Sequence, residues 1–201
     1  MLRAHLGLLV VMVGCSTAAP EPEGQADYQR YCGLCHGDNG EGYAVTRANA
    51  LTNDHFLAAA DDAFIRVGIV EGRPGTKMSA WGQAHGGPLT DAQADGIVKW
   101  LRSFASLEPF ELDESPLQGD VSEGKQLWAT HCAGCHGESG QGGSAMSVVH
   151  PIFLASASDG FLRVSVAKGR PGTPMPAYEG SLSSEQIDSL VQAIRSMEAS
   201  P

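Results

Sequence analysis

Two short runs of the sequence combine a pair of thiols with an adjacent imidazole. They are CGLCH at residues 32–36 and CAGCH at residues 132–136. Each run has the spacing C-x-x-C-H, which is the attachment signature of a c-type haem. In such a site the thiols form thioethers to the porphyrin, and the histidine becomes an axial ligand of the iron. We therefore predict two covalently bound haem c groups, attached through Cys32, Cys35, Cys132 and Cys135, with His36 and His136 on the irons.

Two other chemistries also use a C-x-x-C pair. A thioredoxin-like redox pair is expected beside a βαβ unit, and the sequence contains no alternating apolar and polar run of strand length. A zinc site could combine the two pairs. It would leave both histidines unexplained, together with the repeat described next. The sequence favours haem attachment over both alternatives.

An internal repeat indicates the second axial ligand of each iron. Residues 56–80 align with residues 153–177 without a gap, and 15 of these 25 positions are identical. The strongest match is the loop G-R-P-G-T-x-M, which ends at Met78 in the first copy and at Met175 in the second. Thioether sulfur binds haem iron and raises its reduction potential. We predict Met78 and Met175 as the distal ligands.

The remaining methionines and the loop arginines receive weaker assignments. Met146 and Met197 have no methionine partner in the other copy. A lone methionine is usually core filler, and that is our interpretation of both. Arg73 and Arg170 lie in the two methionine loops, and we interpret them as surface residues or partners of haem carboxylates. Docking of a redox partner at the haem edge is the alternative.

Short helices must lead into the two thiol pairs. The first is predicted from about Gln25 to Cys32. Its counterpart is predicted from Glu123 to about Cys132, with Ser122 as the N-cap. Glycine-rich loops follow both motifs.

Two further helices in each copy complete the predicted fold. Residues 61–70 and 158–168 begin at capping-type residues and end at the Gly-Arg-Pro-Gly break. Thr90 and Ser183 are predicted N-caps of two closing helices, in which apolar residues recur at three- and four-residue spacing. The predicted fold class is all-α, formed twice.

Cys15 is the one cysteine outside the two motifs. It follows residues 1–14, which have a basic start and an apolar run too short to span a bilayer. The Val-Gly-Cys ending resembles the lipobox of bacterial lipoproteins, which implies cleavage before Cys15 and lipidation of its thiol. Ordinary signal cleavage near Ala18 is the alternative. The predicted location is exported, on the periplasmic side, and lipid-anchored to a bacterial membrane.

Composition and charge complete the domain plan. The net charge is -10, and the chain has no Lys/Arg cluster of the kind that nucleic acid binding needs. Residues 108–120 contain five acidic and no basic side chains. We interpret them as a solvated linker, with a docking patch as the alternative. The predicted plan is a signal peptide at 1–14, a tether at 15–23, domains at 24–107 and 121–201, and the acidic linker at 108–120.

The chain resembles the small Met/His cytochromes c, in a tandem diheme form. The resemblance rests on G-x-x-x-[YW]-x-x-x-C-x-x-C-H-G, the Pro-x-x-x-Met loop and the closing helix of each copy. It implies a haem wrapped by short helices and long loops in each domain. It also implies that the first and last helices cross at a glycine, at Gly24 in the first domain and Gly124 in the second. Ala193 replaces the aromatic Trp100 of the first crossing, which implies a looser second crossing.

This resemblance implies one-electron transfer as the function. With both axial positions filled, no small-molecule substrate reaches the iron. The implied partners are redox proteins or membrane respiratory complexes, with no nucleic acid. A diheme peroxidase-like enzyme and a fixed subunit of a membrane complex are the alternatives. Because Pro174 replaces Lys77 beside the second methionine, we also predict unequal midpoint potentials.

Overall fold

The computed structural model describes residues 22–42 and 48–197, and this part of the chain is helical, with two isolated β-bridges and no strand. The all-α prediction is confirmed. The α-helices of the first half are α1 (Gln25–Tyr31), α2 (Gly33–His36), α3 (Asp54–Ala59), α4 (Asp62–Val70) and α5 (Asp91–Arg102). Those of the second half are α6 (Val121–His131), α7 (Ala133–His136), α8 (Pro151–Ser156), α9 (Asp159–Lys168) and α10 (Ser184–Ser196). A 3-10 turn at Gln83–His85 belongs to the first half alone.

The predicted N-caps of the closing helices are confirmed. The hydroxyls of Thr90 and Ser183 each accept a hydrogen bond from the backbone N–H three residues later. The glutamine at that third position bonds back to the cap, which completes a capping box in both halves. The side chains of Asp61 and Ser158 likewise cap α4 and α9.

The beginnings of three other helices differ from the sequence-based expectation. The side chain of Asp120, rather than Ser122, caps α6, and it accepts the backbone N–H of Glu123. An earlier cap lets α6 begin at Val121. Helices α3 and α8 were not predicted at all, because at six residues each they are too short to show a helical period.

The first and last helices of each half cross at a glycine, as the resemblance implied. A Cβ atom on Gly24 would lie 2.0 Å from the carbonyl oxygen of Gly96, and one on Gly124 would lie 1.8 Å from that of Ser189. The second crossing is therefore as close as the first. The expectation of a looser contact beside Ala193 is wrong, because a small residue lets the two backbones approach.

The two halves pack against each other through equivalent elements. Helix α3 packs on α9, and α4 packs on α8. The side-chain amide of Asn53 donates to the carbonyl of Pro171 over 2.8 Å, and Nε2 of His150 donates to that of Pro74 over 3.1 Å. These two hydrogen bonds are equivalent under the repeat. Asn53 aligns with His150, and Pro74 aligns with Pro171, both at an offset of 97 positions.

The acidic connector is pinned to both halves. The backbone N–H of Phe110 donates to the carbonyl of Ala58 over 2.8 Å. The Glu114 carboxylate accepts the Ser158 hydroxyl over 2.5 Å and the backbone N–H of Gly160 over 3.1 Å, at the start of α9. The five acidic side chains of the segment are exposed, which agrees with a solvated linker, and these hydrogen bonds fix its path along both halves.

Among the helices of residues 22–42 and 48–197, none has the length and apolar character that a membrane crossing requires.

Candidate haem sites

In the second half, the four predicted site residues surround one cleft. Cys132, Cys135, His136 and Met175 all line a cavity of about 570 Å³. This volume falls within the range of roughly 300–1,000 Å³ that is usual for cofactor pockets. The walls are mainly apolar and come from Trp128, Phe153, Phe161, Leu162, Val166, Leu190 and Ile194.

The first half brings together the equivalent residues. Cys32, Cys35, His36 and Met78 line a cavity of about 200 Å³, together with the side chain of Trp81. The chain that follows His36 includes residues 43–47, which lie outside the described part. The same four residue types thus face one another in both halves.

One-turn helices hold the thiols and the imidazole of each motif. In the first half α1 ends at Tyr31, and α2 carries the second thiol and the histidine. All four motif cysteines are free of disulfides, so their thiols are available for thioether formation. Burial, together with the neighbouring thiol, raises the pKa of Cys32 to about 12 and that of Cys132 to about 11.

The histidine rings are oriented by backbone carbonyls, as is usual for a metal-ligating imidazole. Nδ1 of His36 lies 2.9 Å from the carbonyl oxygen of Asn49, and Nδ1 of His136 lies 2.8 Å from that of Met146. A carbonyl only accepts, so Nδ1 carries the proton and the Nε2 lone pair is free for a metal. Burial lowers the pKa of His36, which favours the neutral, ligating ring, although the Asn49 hydrogen bond opposes that shift.

A buried aromatic residue of the first helix supports the chain after each motif. The Tyr28 hydroxyl donates to the carbonyl of Gly37 over 2.9 Å. In the second half Nε1 of Trp128 donates to the carbonyl of Gly137 over 3.1 Å. Each bond connects the glycine that follows the motif histidine to the first helix of its half. The backbone that carries the histidine is therefore held in place.

The two methionine loops close on themselves in the same way. The backbone N–H of Arg73 donates to the carbonyl of Met78 over 2.6 Å, and that of Arg170 donates to Met175 over 2.9 Å. Gly72 precedes the first loop with φ +61°, and a Cβ there would lie 2.3 Å from a backbone oxygen. Only glycine permits this close approach, which presents the methionine toward the cleft.

The loop arginines reach across the boundary between the halves. The guanidinium of Arg73 lies 5.0 Å from the ring centre of Phe153, and that of Arg170 lies 5.8 Å from Phe56. Burial lowers the pKa of Arg73 to about 10. Docking a separate redox partner does not suit Arg73, since the contact between the halves already uses it.

Asn49 and Met146 hold the two histidines, and the sequence did not assign this position to either of them. Each supplies the carbonyl that orients a histidine, and the Asn49 amide donates to the Met146 sulfur over 2.9 Å. Met146 also packs against the hydrophobic core, in agreement with its interpretation as core filler, and its sulfur contact with Asn49 is an additional feature. One signal was available, because the two residues align with each other at the offset of 97 found for the repeat.

These features fit haem better than the other two chemistries. Across residues 22–42 and 48–197 no strand is present for a thioredoxin-like pair, and no three His, Cys, Asp or Glu side chains converge to hold a metal ion. The free thiols, the oriented imidazoles and the apolar walls suit a covalently attached porphyrin.

The comparisons with known proteins agree with this fit. The family described as cytochrome C oxidase, cbb3-type, subunit III, matches residues 19–101 and 119–192. The Cbb3-type cytochrome c oxidase subunit CcoP of an Azospirillum species is 28% identical over 192 residues, covering 87% of this chain and 61% of that protein. Subunit FixP of the Cbb3-type oxidase of Azorhizobium caulinodans is 28% identical over 181 residues, covering 87% and 59%. The chain spans about three-fifths of the length of these curated relatives.

One solved structure shares the fold over most of its length. A reducing HAO-like protein complex of Kuenenia stuttgartiensis superposes with a TM-score of 0.56 at 21% identity, over 89% of this chain and 97% of that chain. At this identity the likeness establishes a common fold and nothing about chemistry.

Proposed function

Because this chain belongs to the family of cytochrome C oxidase, cbb3-type, subunit III, we propose that its two covalently bound haem c groups carry single electrons between respiratory redox partners. The single observation that carries the proposal is the duplicated site. In each half two free thiols, a carbonyl-oriented histidine and a loop methionine line one cleft. Haem supplies the one-electron chemistry, and the protein supplies attachment, axial ligands and an apolar environment.

The residue roles follow the two clefts. Cys32 and Cys35 would attach the first haem, and His36 and Met78 would ligate its iron. In the second half Cys132 and Cys135 would attach the haem, and His136 and Met175 would ligate its iron. The domain boundaries at 24–107, 108–120 and 121–201 belong to the same proposal.

The test of these roles is an optical redox titration of the holoprotein. Two haems per chain and a far-red methionine-to-iron band are expected. Met78→Ala and Met175→Ala should each remove about half of that band and lower one midpoint, while Met197→Leu should change neither. Loss of the whole band in one single variant, or of none in both, would contradict the assignment.

An oxidase-type respiratory complex is the proposed partner. The support is the name of the relatives, since the proteins of Azospirillum and Azorhizobium are called subunits of a Cbb3-type cytochrome c oxidase. Co-purification from detergent-solubilised membranes tests this partner. A chain recovered alone, while still reduced rapidly by membrane donors, would indicate a free shuttle.

We propose that the chain is a carrier and not an enzyme. If Met78 and Met175 ligate the two irons opposite the histidines, no open position would remain for peroxide or another small substrate. Carbon monoxide should therefore bind slowly, if at all, to the reduced protein at neutral pH. Rapid binding to either haem, with peroxidase turnover, would favour the peroxidase-like alternative.

Export and lipid anchoring at Cys15 complete the proposal. Residues 1–21 lie outside the described part of the chain, so the support is the sequence pattern alone. The wild-type protein should partition into the detergent phase and incorporate labelled fatty acid, and Cys15→Ser should do neither. Label retained in Cys15→Ser would refute the assignment.

A further inference from the structure

The two haem sites are linked by a short chain of contacts that runs from one proximal histidine to the other. His36 donates to the Asn49 carbonyl over 2.9 Å, the Asn49 amide donates to the Met146 sulfur over 2.9 Å, and His136 donates to the Met146 carbonyl over 2.8 Å. Two residues therefore connect the two rings. Each of them holds its own histidine through the backbone and the other residue through its side chain.

The surroundings of this link keep it in place. The Met146 sulfur also lies 3.8 Å from a guanidinium nitrogen of Arg73, and the same guanidinium rests over the Phe153 ring. Asn49 and Met146 line both clefts, together with Arg73. A hydrogen bond in such a partly buried place is electrostatically stronger than one in water, and it polarises its neighbours.

We propose that Asn49 and Met146 are positioning residues that couple the two haem sites, so that the redox state of one shifts the midpoint potential of the other. The proposal rests on the assignment of His36 and His136 as axial ligands. The charge on an iron changes how strongly its histidine donates from Nδ1, and such partners tune the metal. The backbone carbonyl of Asn49 accepts this bond from His36, and that of Met146 accepts it from His136. The side chains of the same two residues contact each other across the boundary between the halves.

The contact between the Asn49 amide and the Met146 sulfur can be tested by a double-mutant cycle. Asn49→Ala removes the amide but keeps the carbonyl that holds His36. Met146→Leu removes the sulfur but keeps the carbonyl that holds His136. Both variants break the same contact, so their effects should not add. Asn39→Ala, at an exposed asparagine, and Met197→Leu are the matched controls.

The readout is the separation of the two midpoints in a potentiometric titration of the holoprotein, together with the far-red band. Each single variant should narrow the separation of the two midpoint potentials by about 18–59 mV. For one electron, this is a two- to tenfold change in the equilibrium constant for electron transfer between the two haems. The double variant should match either single one, and the controls should match wild type. The far-red band should persist in all of them.

Two results would overturn the proposal. One is an unchanged separation in both single variants. The other is a double variant whose shift equals the sum of the two single shifts. If one single variant fails to load both haems, the test uses the other single variant, and its midpoint separation is compared with that of its matched control. Failure of the ligand assignment is distinguishable, since it would abolish the far-red band or the low-spin spectrum, which coupling alone leaves intact.

Discussion

Replacing Asp188 with asparagine should destabilise the second half far more than the matched change destabilises the first. Arg163 donates to the two Asp188 oxygens over 2.6 and 3.1 Å, and these side chains are only 9% and 11% exposed. The third guanidinium nitrogen, Nη1, donates to the carbonyls of Asp113 and Ser115 over 2.5 and 2.8 Å, so the connector covers the pair. Asparagine keeps the shape but removes the nearer counter-charge of a buried guanidinium, which then has only the exposed Asp113 carboxylate at 3.9 Å among its ion pairs.

The repeat supplies the control. At the equivalent places of the first half, Arg66 donates to Asp95 over 2.7 Å, with the side chains 36% and 61% exposed. Removing one partner of a buried pair costs about 3–5 kcal/mol. Breaking an exposed pair costs about 0.2–1 kcal/mol. We expect the low end of the first range, about 3 kcal/mol, for Asp188→Asn because one acceptor oxygen remains, and less than about 1 kcal/mol for Asp95→Asn.

The assay is denaturant unfolding of the holoprotein, followed by circular dichroism and tryptophan fluorescence. Trp128 reports on the second half, whereas Trp81 and Trp100 belong to the first. Equal losses of unfolding free energy in Asp188→Asn and Asp95→Asn would refute the reasoning, because burial would then not control the strength of the pair. So would a loss below about 1 kcal/mol in Asp188→Asn, the value of an exposed pair.

Three further outcomes are expected. The hydrogen bond from Arg163 lowers the pKa of Asp188. The stability that this pair contributes should be complete above the unfolded carboxyl pKa of about 3.9 and should be lost as the pH falls through the lower folded value. In acid titrations the unfolding free energy of wild type should therefore approach that of Asp188→Asn. Gly124→Ala should cost about 1–3 kcal/mol by forcing the α6–α10 crossing apart, whereas Gly134→Ala, with nothing within 4 Å of the new Cβ, should cost nothing; equal melting temperatures would contradict this. Glu114→Ala should cost about 1 kcal/mol, because the Ser158 hydroxyl and the Gly160 N–H at the start of α9 lose their carboxylate acceptor, and the exposed Glu111→Ala should stay within about 0.5 kcal/mol. Hydrogen exchange at the start of α9 would show the loss, and unchanged protection there would refute it.

Local chemistry was readable from the sequence because each signal lay within a few residues. The caps at Thr90 and Ser183 were predicted, and so were the helices that lead into the two thiol pairs. The start of α6 was mistaken because Asp120 and Ser122 are both good caps, and only the Ser189 hydroxyl that receives the Asp120 N–H distinguishes them. The cap of α3, the Asn53 side chain, left a local signal that was overlooked.

The arrangement of the two halves was not readable in this way. Contacts across the boundary join residues about 100 positions apart, and a repeat shows that two units are alike without showing which faces meet. The Arg73 contact with Phe153 and the pinning of Glu114 on α9 both depend on that arrangement. From the sequence, Arg73 could be placed only in its methionine loop and Glu114 only in an acidic linker, without their partners in the other half.

The reciprocal packing of the halves has the geometry of an isologous interface, the kind that joins identical subunits across a two-fold axis. Phe64 meets its own equivalent, Phe161, with ring centres 4.6 Å apart, as residues near such an axis must. A dimer of identical chains would have to set Asn against Asn, or Met against Met, where Asn49 now meets Met146. When both units belong to one chain, a residue on one side of the axis can be substituted without changing its equivalent on the other side. A hydrogen-bond donor, Asn49, can therefore face an acceptor, Met146.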